Sequence, residues 1–198
     1  MLSRIYAGLS HEHLQRILGD GLSMAAKSLS KMVGQDVRVT VDEFRLVPVR
    51  EVARTLGDPD EVVVGVSFSL TGQLEGRLSL LIERAGVLGL MDALLKRPAG
   101  TTKSFQDMEK SAVNETANIL SNAYITVLSR EIQMTILPGA PRFSEAPLGD
   151  LLESLVMEDS EVAVEERFLL LRHSLSAPGL TLQGNLVMFL KTGDTDIG

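Results

Sequence analysis

Apolar residues return along this chain at two spacings, and the switches between them divide it into helices and strands. From Ser10 to Val33, the residues Leu14, Ile17, Leu18, Met24, Ala25, Leu29 and Met32 recur at helical intervals. Ser10 supplies an N-cap and Gly34 a stop. Val37 to Val47 alternates, with Val37, Val39, Val41, Phe44 and Leu46 as its apolar positions, and predicts a strand that Pro48 interrupts. A short helix, Val49–Leu56, follows, and Gly57-Asp58-Pro59-Asp60 makes a turn. Val62–Leu70 and Leu74–Ile82 flank Thr71-Gly72-Gln73 as a hairpin, and Ala85–Lys96 reads as a short apolar helix closed by Arg97-Pro98.

The same order then returns. A long helix is predicted from about Ser104 to Arg130, with Ser104 as cap and Asp107 three residues on. A strand over Gln133–Leu137, a Pro/Gly loop from Pro138 to Pro147 and a short helix over Leu148–Met157 follow. Strands Val162–Leu171 and Leu180–Lys191 close the pattern, and the tail Thr192–Gly198 is expected to fray. The two halves echo one another in letters as well as in order. Leu74-Glu75-Gly76-Arg77-Leu78 matches Leu182-Gln183-Gly184-Asn185-Leu186, and Leu29-Ser30 matches Leu128-Ser129. These features predict a single α+β domain over residues 1–198. It is built of two pseudo-symmetric repeats, about 10–97 and 104–192, whose antiparallel sheet packs with the long helices.

Composition narrows the function. The 198 residues are 44% hydrophobic, with a mean hydropathy of +0.16, enough to bury a core but without a run long enough to span a bilayer. The start lacks the pattern of a signal peptide, and with no Cys there is neither a disulfide framework nor a cysteine metal site; a cytoplasmic address is expected. A net charge of −7 argues against nucleic acid and anionic membrane as partners. Aromatic residues make up 4% of the chain with no Trp, leaving little for stacking platforms, and no Rossmann or P-loop glycine pattern occurs.

On the predicted helix Ser104–Arg130, Met108, Ala112, Thr116, Ile119, Leu120, Ala123, Tyr124 and Val127 form an arc expected to face the core. Opposite runs a narrow stripe of Ser111, Glu115, Asn118 and Asn122, spaced four, three and four apart and so within about 60° of one another. Asn is a poor mid-helix residue because its side chain competes for backbone hydrogen bonds, so two on one exposed line need a reason. Glu-x-x-Asn alone recurs by chance as a solvated face.

The longer string Glu109-Lys110-Ser111-Ala112-Val113-Asn114-Glu115-Thr116-Ala117-Asn118-Ile119-Leu120-Ser121-Asn122-Ala123-Tyr124 resembles the active-site helix of the CheC/CheX/FliY-type chemotaxis phosphatases. That family's signature is Asp or Ser, three residues, Glu, two residues, Asn, twenty-two residues, Pro, and Ser111, Glu115, Asn118 and Pro141 satisfy it across 31 residues. Length and duplication lean towards the CheC type, and the likeness extends over essentially the whole chain.

The resemblance implies hydrolysis of the aspartyl phosphate of a CheY-like receiver in chemotaxis or related two-component signalling. Asn118 would orient water, Glu115 would meet a receiver cation, and Ser111, Asn122 and Pro141 would line the contact. No cofactor or metal is expected on this chain, since the receiver brings its own Mg²⁺. CheD is a further partner that the resemblance raises.

Aligning Leu29-Ser30 with Leu128-Ser129 puts Glu12, Arg16 and Gly19 where Ser111, Glu115 and Asn118 stand, and Asp42 where Pro141 stands. Arg16 has no carboxylate and Gly19 no amide side chain, so the first-half site is expected to be inactive. His11 and His13 point to different helix faces, and His173 has no evident partner. Glu165, Glu166, Asp58 and Asp60 read as solvated surface, and Ser121, Ser129 and Ser154 lack a His/Asp constellation. The competing functions are a non-catalytic receiver-binding or flagellar-switch adaptor and a structural dimer.

Overall fold

The computed structural model describes residues 11–157 and 167–192. Helix α1 (His11–Val33), strand β1 (Arg38–Pro48), helix α2 (Val49–Leu56), strands β2 (Val62–Gly72) and β3 (Leu74–Glu83) and helix α3 (Arg84–Leu94) form the first half. Helix α4 (Asp107–Ile132), strands β4 (Ile136–Pro138) and β5 (Arg142–Pro147), helix α5 (Leu148–Met157) and strands β6 (Arg167–Ala177) and β7 (Leu180–Thr192) form the second.

The seven strands make one antiparallel sheet in the order β1-β6-β7-β3-β2-β4, with β5 also on β2. Exchanging the halves (β1 for β4/β5, β2 for β6, β3 for β7) reverses that order without changing it. The centre of the sheet is therefore β3 against β7, each half lending one strand.

Side chains alternate between two cores, as strand geometry requires. Val64, Val66, Phe68, Leu78, Leu80, Leu169, Leu171, Leu186 and Met188 face α1, α3 and α4. Val63, Leu81, Phe168, Leu170, Val187 and Phe189 face α2 and α5. A sheet covered on both faces explains why these strands read as nearly unbroken apolar runs. The echoed glycines have a packing reason. Gly76 has φ +150, and a Cβ there would lie 2.0 Å from the Phe189 carbonyl oxygen; a Cβ on Gly184 would lie 2.8 Å from His173 Nε2.

Several boundaries differ from expectation. The residues expected to loop from Pro138 to Pro147 contain β5, which pairs with β2 from Arg142↔Ser67 to Pro147↔Val62. Its prolines fall at the ends of edge segments, where a missing N–H is tolerated, and its polar residues hid the alternation. The strand placed at Gln133–Leu137 starts only at Ile136, because Gln133 adopts a left-handed conformation (φ 55) that ends α4. Lys96, at φ 54, likewise follows a helix that ends at Leu94, ahead of Arg97-Pro98. Strand β6 runs on to Ala177, its polar His173, Ser174 and Ser176 pairing along β1. Ser10, Val162–Glu166 and residues 193–198 lie outside the described residues. No helix of the described residues is long and apolar enough to cross a membrane.

His173 is fully buried beneath α4, its ring 6.0 Å from that of Tyr124, and neither ring nitrogen has a hydrogen-bond partner among the described residues. Burial lowers its pKa from 6.5 to about 4, with the Asp42 charge opposing, while burial and Asp42 both raise the Tyr124 phenol. A base whose folded pKa is depressed withholds a proton that the unfolded chain takes up. Its contribution is thus present above pH 6.5 and lost as the pH falls towards 4. We expect His173→Leu to flatten that acid limb by on the order of 3 kcal/mol between pH 7 and 4. Urea midpoints across that range test it, and parallel profiles for the two proteins would refute it.

Candidate functional site

The site is the outer face of α4, and its position depends on how that helix is anchored. At the start, the Gln106 N–H donates to Glu109 Oε2 at 3.0 Å, replacing the cap expected from Ser104. Ser104 instead accepts from Gln106 Nε2 at 3.1 Å. Asp107 and Glu109 in the first turn and Arg130 in the last suit the helix dipole. Arg97 Nη1 donates to Glu109 Oε1 at 2.7 Å and to Thr102 Oγ1 at 3.1 Å. The hydrogen bond from Arg97 is the main reason Glu109 is held below the usual carboxylate range. Asp92 is held low in the same way, first by the Thr102 side chain, with burial opposing. It also accepts the backbone N–H of Thr101 and Thr102 at 3.1 and 2.8 Å, tying the loop before α4 to α3.

The buried face of α4 carries Glu109, Val113, Thr116, Ala117, Leu120, Ser121, Tyr124, Ile125, Val127 and Leu128. This is rotated from the expected arc, and Met108, assigned to the core, is 61% exposed. The sequence signal for the correction was weak. Glu109 looks like a surface residue until Arg97, twelve residues earlier, is seen to pair with it.

The predicted stripe is on the outside. Ser111, Glu115 and Asn122 are exposed and Asn118 is half-buried. Neither the Glu115 carboxylate nor the Asn118 Nδ2 has a hydrogen-bond or ion-pair partner among the described residues. Asn122 Nδ2 donates to the Asn118 backbone oxygen at 2.8 Å and to Asn118 Oδ1 at 2.9 Å. Beyond Asn122, the face continues into a groove of about 510 Å³ lined by Thr126, Arg130, Gln133, Leu137 and Pro138, among others.

Pro141 lies off the helix, half-buried in the link of residues 139–141 between β4 and β5. That link breaks the edge pairing on β2, and its bend is held by the Gly139 N–H donating to the Ser69 carbonyl at 2.8 Å. Phe143, two residues on, meets Phe105 at 5.3 Å between centroids and sits beneath Lys110 at 5.9 Å, joining this edge to the start of α4.

The first half mirrors the arrangement with different side chains. The register of β1 on β6 shifts between Val41 and Glu43, so Asp42 occupies a bulge at the opposite edge, where it accepts from Ser174 Oγ and Thr40 Oγ1. On α1, Arg16 is exposed and Gly19 half-buried, and the Ser23 hydroxyl donates to the Gly19 carbonyl at 3.2 Å. Glu12, His11 and His13 lie on the first turns of α1. Ser121 and Ser129 have buried hydroxyls with no partner among the described residues, and Asp58 accepts the Asp60 N–H within its turn. No group of three or more His, Asp or Glu side chains that could hold a metal occurs among the described residues. Glu165 and Glu166 lie outside them.

No family model matches the chain. It is 22% identical over 163 residues to the CheY-P phosphatase CheC of Bacillus subtilis, covering 80% of this chain and 78% of that one. The Thermotoga maritima FliY structure aligns with a TM-score of 0.71 at 21% identity, covering 90% of each chain. A chain of the FliG–FliM complex of H. pylori aligns with a TM-score of 0.66 at 16% identity, covering 90% and 93%. Together these support the CheC/CheX/FliY-type resemblance carried by the α4 motif, and the structural likenesses show a shared fold.

The Arg97–Glu109 pair gives a test of the anchoring. Arg97→Met strands a buried carboxylate without its cation, so the denaturant midpoint should fall, and adding Glu109→Gln should recover part of the loss. Additive losses from the two substitutions would show that the pair does not anchor α4.

Proposed function

We propose that this protein hydrolyses the aspartyl phosphate of a CheY-like receiver, using Glu115 and Asn118 on the outer face of α4. The observation that carries the reading is that face. An unpaired carboxylate and an amide with an unpartnered donor end stand one turn apart on a helix whose other side is buried. They belong to a four-point match to the phosphatase signature, and the name of the Bacillus subtilis relative supports the substrate class.

An acyl phosphate is already activated. The oxygen of a water attacks phosphorus, the bond from phosphorus to the aspartyl oxygen breaks, and the aspartate leaves as a carboxylate. The water's protons remain with the inorganic phosphate and solvent. Phosphoryl transfer passes through a loose transition state, so positioning and charge stabilisation are what a protein can add. Asn118 enters the receiver's site and orients the water in line. Glu115 meets a cation beside the phosphoryl group and sets the approach. Ser111, Asn122 and Pro141 complete the contact surface, and Mg²⁺ arrives with the receiver as part of the substrate. The reading places this reaction in the cytoplasm.

The likeness to a chain of the FliG–FliM complex favours a second reading, an adaptor that binds the receiver or a flagellar-switch component without hydrolysis. Phosphate loss from a Mg²⁺-loaded, phosphorylated CheY-like receiver separates the two. Under the phosphatase reading the protein accelerates decay, and Asn118→Ala removes about 10²-fold of that acceleration, equivalent to ~2.7 kcal/mol. The thermal midpoint should change little, because the hydrogen bond that Asn118 Oδ1 makes is to the exposed Asn122 on the same helix. Binding without acceleration would establish the adaptor instead.

A further inference from the structure

We propose that Asn122 is a positioning residue that locks the Asn118 side chain with its N–H₂ end, not its carbonyl, facing the bound receiver. This rests on the phosphatase reading above and goes beyond it by assigning Asn118 a hydrogen-bond polarity. It also gives Asn122 a role within the helix beside its place on the contact surface.

Neighbouring atoms decide which end of an amide is nitrogen. The backbone oxygen of Asn118 can only accept, and it lies 2.8 Å from a terminal atom of Asn122, so that atom must be Nδ2. The same Nδ2 lies 2.9 Å from a terminal atom of the Asn118 side chain, which must therefore be the acceptor Oδ1. Both N–H groups of Asn122 are consumed inside the helix, and it has no donor left for a phosphoryl group. Asn118 Oδ1 is turned along the helix towards Asn122, leaving Nδ2 with its two N–H groups for whatever docks there.

The spacing of four makes the lock possible, because residues four apart are neighbours on one face. On α1 the Ser23 hydroxyl makes the matching bond to the Gly19 carbonyl, at a place with no amide to orient.

The polarity has a chemical consequence. Presented donor-first, Asn118 donates to the oxygen of the attacking water or to phosphoryl oxygens, and does not take up a proton from the water. A loose transition state suits this, since it needs an oriented nucleophile more than a deprotonated one.

The test measures steady-state phosphate release from a Mg²⁺-loaded, phosphorylated CheY-like receiver for Asn122→Ala and Asn122→Asp, each alone and combined with Asn118→Ala. Losing the lock in Asn122→Ala should lower kcat about 3- to 10-fold with KM within about twofold. In Asn122→Asp the carboxylate accepts from Asn118 Nδ2 and turns the amide over, so kcat should fall about 10- to 100-fold. Neither substitution should reduce the rate further once Asn118 is Ala. Full kcat in Asn122→Ala, a change in KM alone, or equal losses in the Asn118→Ala background would overturn the proposal. A second readout does not depend on activity. In ¹H–¹⁵N spectra of the unliganded protein, both side-chain amide protons of Asn122 should exchange more slowly than those of exposed Gln35, and one should lose that protection in Asn118→Ala. Exchange at the exposed rate would remove the lock even in an active enzyme. A wild type that is inactive but shows the protection would sink the phosphatase reading while leaving the lock standing.

Discussion

The pairing of β3 with β7 is the contact on which the rest of the structure depends, because it joins the halves along the middle of the sheet. From Leu74↔Thr192 to Ile82↔Gly184 the two strands lie antiparallel, and Gly76 lets the Phe189 carbonyl approach closer than any side chain would allow. Once they are paired, β2 and β6 flank them, and the edges fall to β1 on one side and to β4 and β5 on the other. Both faces of the resulting sheet are apolar and must be covered. Long helices α1 and α4 close one face with α3, and short helices α2 and α5 close the other.

Helix α4 has two tasks. Its inner side fills the larger core with Val113, Leu120, Tyr124 and Leu128 and carries polar groups that a core tolerates poorly. Glu109 is satisfied by Arg97 and Gln106, whereas Ser121 and Tyr124, and His173 on the facing strand β6, have buried polar atoms without a partner among the described residues. Because packing and the anchored N-terminus hold the helix, its outer face is released from any stabilising duty. That release lets two Asn residues of modest helix propensity stand mid-helix, and it lets Glu115 stand without a cation among the described residues.

The symmetry of the fold contrasts with the asymmetry of its chemistry. The bulge at Asp42 on β1 and the break at residues 139–141 lie on opposite edges, at corresponding places of the two halves. Ser23 on α1 repeats the backbone bond of Asn122 on α4. The scaffold repeats at both ends, while the carboxylate and the amide occur only in the second half, with Arg16 and Gly19 at their counterparts.

Much of this was legible in the chain. Helices α2 and α5 lie where the sequence places them, over Val49–Leu56 and Leu148–Met157, because each is a short periodic run between strong punctuation marks. The duplicated order, the central hairpin strands and the outward stripe of Ser111, Glu115, Asn118 and Asn122 were readable for the same reason: period, spacing and identity are local properties. Strand β5 was not, since Arg142–Pro147 becomes a strand only where β2 offers it an edge. The rotation of α4 that exposes Met108 was decided by Arg97 reaching Glu109 from another element. The direction in which Asn118 points its amide was likewise decided in three dimensions. Sequence determined which groups share the helix face, because helical spacing alone sets that. Tertiary structure decided how the face is turned and which of its hydrogen-bonding ends remain open, because both depend on partners that the chain brings together only when it folds.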